Sequence, residues 1–320
     1  MTKDRTQLIQ EMTGHLEDAG FDVSKQCDVR PSCFDMVARR GEHLVLIKAL
    51  ANVDSFTKED ALALQLVARF FNAIPLLVGK KMRRGSLDRG VIYKRYGVSA
   101  MAPPSFRDMV LEEKMPKEVI QRGGRFVSID GARLKEVRLS KSMTKEELAD
   151  CIQVSARAIL AYEKDEMDMS REVAGKLEKV LETDLIIPID LFHEPLTPGE
   201  LPPSETPPNL PDITQRVNDF FERLGMKVMW TDRAPFHVAA KEEGPPLMSG
   251  VGSIKSWTLQ KRMEILRSVS HVTESDAVII VEEGQAKESV SDLPVIRQLE
   301  LDEIDKPREL KKIISERSEK

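Results

Sequence analysis

Aromatic side chains make up only 5% of the 320 residues, and cysteine occurs three times, as Cys27, Cys33 and Cys151. Three thiols are too few for a disulfide framework, so reduced cysteines and a cytoplasmic location are expected. The five histidines stand apart at 15, 43, 193, 237 and 271. None joins the cysteines at zinc-ligand spacing, so no metal site is expected. The sequence has no apolar run of about 18 residues, which argues against a membrane span. The opening MTKDRTQLIQ lacks the apolar stretch of a secretory signal. There is no glycine-rich phosphate loop and no Ser-His-Asp or Cys-His order, and no cofactor is expected.

What is present is charge, 32% of residues, unevenly placed around a net of −5. Residues 1–128 sum to +5, residues 129–184 to −3 and residues 185–320 to −7. The N-terminal part can meet a polyanion; the C-terminal part is unsuited to one.

Two breaks divide the chain. Pro116 and Gly123-Gly124 mark the first. The second, residues 194–212, holds seven prolines and no aromatic residue, the composition of an extended linker. The expected domains are 1–115, 124–193 and 213–320. The outer two share a pattern. LIQEMTGHLEDAGF and ITQRVNDFFERLGM are amphipathic helices, each followed by a strand. FDMVARRGEHLVLIKAL, from residue 34, then aligns with FHVAAKEEGPPLMSGVG without a gap at an offset of 202. A helix and an apolar strand complete each block. This order predicts two small α/β domains, the second a possible repeat of the first, around an all-α centre.

The centre, 131–184, reads as four to five helices. Thr144 with Glu147 forms a capping box, and Leu148, Ala149 and Ile152 form an inner face. Val154 sits in a turn. Ser155 caps the next helix, whose inner face is Ala158, Ile159 and Tyr162, and Ser170 caps another. Together with Glu163, these residues resemble the helix-turn-helix of the lambda-repressor/Cro (Xre) class over about 55 residues. The sequence departs from that pattern at Gln153 and at Asp165-Glu166, near positions where the class favours glycine. The resemblance implies binding to double-stranded DNA, commonly as a homodimer. Ser155, Ala156, Arg157, Leu160, Ala161 and Lys164 are placed at the groove, and of these only Arg157 can grip guanine with two hydrogen bonds. Thr144 belongs to the same interface, and Arg138, Lys145 and Lys164 suit phosphates.

The stretch from residue 34 resembles the restriction-endonuclease-like fold of Holliday-junction resolvases. There an Asp on one strand and a Glu-x-Lys on the next hold magnesium and a water. Asp35 and Lys48 match, but Leu46 stands at the second acid. In the C-terminal block the three positions are His237, Met248 and Gly250. The expectation is a degenerate domain in which Asp35 and Lys48 form a structural pair, and no catalytic residue is assigned. Lys80, Lys81, Arg83 and Arg84 form a basic run that suits phosphates or is simply a solvated loop. Nearly the whole chain resembles a family of archaeal helix-turn-helix transcriptional regulators, which implies a DNA-binding regulator. A metal-dependent nuclease, or an interaction module whose motif no longer reads DNA, stay open beside it.

Overall fold

The structure, a computed structural model, describes residues 3–192, 212–282 and 284–318. The expected linker 194–212 lies outside them except for its last residue. Helix α1 (Lys3–Asp18) leads into β1 (Asp22–Val23), β2 (Met36–Arg40), β3 (His43–Asn52), α2 (Lys58–Phe71) and β4 (Ile74–Met82). Next come β5 (Gly85–Ser86), β6 (Val91–Arg95), β7 (Val98–Met101), α3 (Pro103–Glu112), β8 (Glu118–Gln121) and β9 (Gly124–Val127). The helices α4 (Gly131–Ser140), α5 (Lys145–Ile152) and α6 (Ala156–Glu163) precede β10 (Met169–Ser170) and α7 (Arg171–Leu181). The C-terminal part holds α8 (Asp212–Arg223), β11 (Lys227–Trp230), β12 (Val238–Lys241), β13 (Leu247–Gly252), α9 (Trp257–Thr273) and β14 (Ala277–Val281). It closes with β15 (Ser289–Val290), β16 (Leu293–Arg297) and α10 (Pro307–Ser318). The fold is mixed α/β.

Two compact units arise. One comprises residues 1–49, 56–76 and 196–320; the other comprises 50–55 and 77–195.

The first unit contains the helix–strand–strand–strand–helix order twice, α1-β1-β2-β3-α2 and α8-β11-β12-β13-α9. Each set of strands is an antiparallel meander. Met36 faces Ile47 across β2 and β3, and Val238 faces Ser249 across β12 and β13. A right-handed crossover through a helix is the standard route to a parallel neighbour, and α9 leads to β14 parallel to β13. The apolar stripe of α8, with Val217, Phe220 and Phe221, is buried against Val238, Val278 and Ile280. Each such phenylalanine contributes roughly 1.5–3 kcal/mol by burial. Gly250 is required by packing: a Cβ there would stand 2.9 Å from Ile279 and 3.1 Å from Leu259.

The second unit joins strands to the central helices. The strands β8 and β9 form a hairpin, and Met169–Ser170 pairs with Phe126–Val127. The centre is therefore not wholly helical: β10 ties the helices to β9. Leu134, Leu148, Ile152, Ile159, Leu177 and Leu181 share one core with Val127 and Met169. Gly131 starts α4 against the end of α6, where a Cβ would meet the Tyr162 carbonyl oxygen at 2.3 Å.

Candidate nucleic-acid interface

The α5–α6 pair is fixed at its turns by short polar side chains. Thr144 Oγ1 accepts from the Glu147 N–H at 3.1 Å, and Glu147 Oε2 accepts from the Thr144 N–H at 2.8 Å. Those bonds hold the Glu147 carboxyl below the usual range. Ser155 Oγ accepts from the Ala158 N–H at 3.1 Å, starting α6. Gln153, in the turn, takes the left-handed conformation at φ 62°, and Asp165 does the same at φ 55°. Both do the work for which glycine is better suited. Asp165 has a compensation, since its Oδ1 accepts from the Gly131 N–H at 3.0 Å.

Helix α6 buries Ile159, Tyr162 and Glu163 and turns Arg157, Leu160 and Lys164 outward. These three recur at spacings of three and four, so they share one face. Ala156 and Ala161 are half-buried beside them. Arg157 makes no ion pair among the described residues, while Lys164 stands 3.8 Å from Glu166. Thr144 and Ser155 are exposed and Lys145 half-buried.

Arg138 is a correction to the expected phosphate contacts. It is 5% exposed, its Nε donates to Glu163 Oε1 at 2.6 Å and its Nη1 to the Met143 carbonyl at 2.8 Å. The ion pair ties α4 to α6 inside the bundle, so Arg138 shapes the interface without reaching it. The signal was in the sequence, for Arg138 lies four residues after buried Leu134 on the inner face of α4.

The basic run lies elsewhere in the same unit. Lys80 and Lys81 are on β4, and Arg83 and Arg84 form the two-residue turn into β5, with Met82 facing Gly85. Lys81, Arg83 and Arg84 are exposed and Lys80 is half-buried.

In the first unit Asp35 is fully buried. Its Oδ1 accepts from Arg5 Nη2, and Arg30 and Lys48 approach the same oxygen at 3.5 and 3.8 Å. Its Oδ2 accepts from the Ala49 N–H at 2.8 Å. Lys48 donates to the Ser32 carbonyl. Burial pulls the Lys48 ammonium below its ordinary range, with Asp35 opposing the shift. Beside it, burial pushes the Cys33 thiol up to about 12. Leu46 is 2% exposed. At the position matching Asp35, His237 Nδ1 accepts from the Val251 N–H at 2.9 Å, and burial holds its pKa at about 4.

Residues 5–116 match the PD-(D/E)XK superfamily domain and residues 134–186 match the helix-turn-helix domain. A relative from Thermococcus kodakarensis, named "Putative HTH-type transcriptional regulatory protein", is 33% identical, covering 97% of this chain and 96% of its own. Proteins of the same type from Pyrococcus horikoshii and Haloarcula marismortui are 35% and 34% identical, covering at least 97% of both chains in each case. The chain belongs to this archaeal family of HTH-type transcriptional regulators. No solved structure matches it.

For a regulator of this family, the nuclease-like domain raises the question of a metal. The PD-(D/E)XK arrangement requires at least two carboxylates around a divalent cation. In this chain the one acid present is saturated by Arg5, the Ala49 N–H and two further cations, and the second acid is a buried leucine. These residues do not fit a metal. The described residues also contain no group of three or more His, Cys, Asp or Glu suited to one. Among them, no helix is long and apolar enough to cross a membrane. The helix-turn-helix and the relatives' names support a DNA-binding transcriptional regulator rather than an enzyme.

Proposed function

We propose that this regulator binds a specific DNA sequence as a homodimer, with α6 in the major groove. The observation that carries the reading is the outward face of α6, where Arg157 has no carboxylate partner among the described residues, on a helix locked from behind by Arg138 and Glu163. Arg157 can donate two hydrogen bonds to guanine, and Ala156, Leu160 and Ala161 offer apolar groups to thymine methyls. Ser155 and Lys164 flank them, and Thr144 and Lys145 meet the phosphate backbone. The face reads few bases, so DNA shape supplies part of the selection. A single motif contacts a short half-site, which favours a two-fold protein on a two-fold operator. The block 213–320 repeats the element order that opens the block 1–115, and we read the two as copies of one fold that precede and follow the helix-turn-helix module 124–193 in the sequence.

The reading is tested by Arg157→Ala. Its expected cost is about 1–3 kcal/mol of affinity for a preferred duplex, with relaxed choice at one base pair. A variant indistinguishable from the parent on every duplex would leave a protein-interaction module instead.

A further inference from the structure

We propose that the two β-hairpins around residues 80–97 form a second DNA-contacting element, which grips duplex phosphates independently of sequence. The proposal rests on the reading of this chain as a DNA-binding regulator.

The first hairpin, β4–β5, turns at Arg83-Arg84. The second, β6–β7, pairs Arg95 with Val98 across Tyr96-Gly97. Both turn residues have positive φ, 49° and 82°, as in the tight turns that match strand twist. Asp54 clamps the two tips together. Its Oδ2 accepts from the Arg83 backbone N–H at 2.6 Å, and its Oδ1 lies 3.3 Å from Arg95 Nη2. Arg95 Nη2 also meets Met82 Sδ at 3.8 Å. The clamp uses only the backbone of Arg83, so its guanidinium stays available. Tyr96, 57% exposed, lies at the second tip.

The cations stand close together. Elsewhere in this unit Arg89 is paired with Asp108, Arg107 with Glu112 and Arg125 with Asp88. Lys80, Lys81, Arg83 and Arg84 make no ion pair among the described residues. Four uncompensated cations within five positions repel one another, and a polyanion removes that cost. A stiff hairpin carrying cations, with an aromatic ring alongside, suits a phosphate backbone. It offers no base-reading pocket.

The experiment measures affinity of the full chain for a random-sequence 40-base-pair duplex as a function of NaCl concentration. It compares the parent, the fourfold variant Lys80→Ala/Lys81→Ala/Arg83→Ala/Arg84→Ala, the charge-keeping Arg83→Lys/Arg84→Lys, and Arg157→Ala. Each phosphate contact contributes about 0.9 to the slope of log affinity against log salt. The fourfold variant is expected to lose roughly 3–4 from that slope. Arg157→Ala should lose at most about one, and the charge-keeping variant almost nothing. Unchanged thermal unfolding of the fourfold variant shows that it folds. A parent-like slope in the fourfold variant, with the parent binding normally, overturns the hairpin proposal and leaves the α6 reading standing. Failure of the parent to bind any duplex overturns both. A hairpin-dependent preference for single-stranded RNA over the duplex assigns the patch to another polymer and likewise overturns it.

Discussion

Arg39 and Lys241 stand at matching positions of β2 and β12, and each reaches the end of the other part's helix. Arg39 Nη1 donates to the Thr273 carbonyl at the end of α9, 3.1 Å away. Lys241 Nζ donates to the Phe70 carbonyl near the end of α2 at 2.6 Å and lies 4.7 Å from the Phe70 ring centre. A cation at a helix C-terminus satisfies orphan carbonyls and opposes the helix dipole. The exchange is reciprocal, as in a two-fold interface between identical subunits. Asp60 with Arg233, at 2.6 Å, and Lys261 with Asp28, at 2.8 Å, add ion pairs between the same two parts of the unit. This reciprocity supports the view that 213–320 is a copy of 1–115.

Arg39→Ala and Lys241→Ala are each expected to lower unfolding free energy by about 0.5–2 kcal/mol. If the exchange is as reciprocal as the distances indicate, the two losses will be similar. Urea unfolding of both variants checks this, and a loss confined to one of them would break the symmetry argument.

The buried pair of Arg138 and Glu163 gives a sharper expectation. Arg138→Met leaves the Glu163 carboxylate uncompensated and should destabilise the chain by about 3–5 kcal/mol. The double variant Arg138→Met/Glu163→Leu should recover most of that loss. Chemical denaturation followed by circular dichroism measures both, and an exposed role for Arg138 would instead leave stability near the parent's.

The helix-turn-helix was legible because its signals are local. Thr144, Glu147, Ser155 and Ser170 cap helices through bonds that span three residues. The pairing of Met169–Ser170 with β9 was not legible, since a two-residue strand has no periodicity to read. Asp35 and Lys48 could be matched to a nuclease pattern, but the neutralising Arg5 sits 30 residues upstream on α1. Only the fold shows that this arginine takes up an Asp35 carboxylate oxygen. The Asp54 clamp was equally hidden, because it joins a backbone N–H to a side chain on a different hairpin.

Asp35 should matter for folding and not for chemistry. Asp35→Ala leaves the cations around it uncompensated and is expected to cost about 3–5 kcal/mol. Supercoiled plasmid incubated with magnesium should stay intact with the parent and with the variant. Cleavage by the parent that Asp35→Ala abolishes would restore the nuclease reading.

His237 predicts acid sensitivity. Its folded-state pKa is lowered to about 4 by burial, with Arg262 adding a smaller repulsion. Above the unfolded value, near 6.5, both states are neutral and the full stability is present. As pH falls from there towards 4, the unfolded chain gains a proton that the folded chain refuses, so stability declines. The expected slope approaches about 1.4 kcal/mol per pH unit in that window. Urea midpoints at pH 7 and 5 should show it in the parent, and His237→Gln should flatten it.

Selection from a random duplex pool shows whether this regulator reads DNA without cutting it. The purified full-length protein would be used with magnesium present, and the recovered strands sequenced. A two-fold motif in intact strands is expected. A pool without enrichment, or one recovered as cut strands, would contradict it.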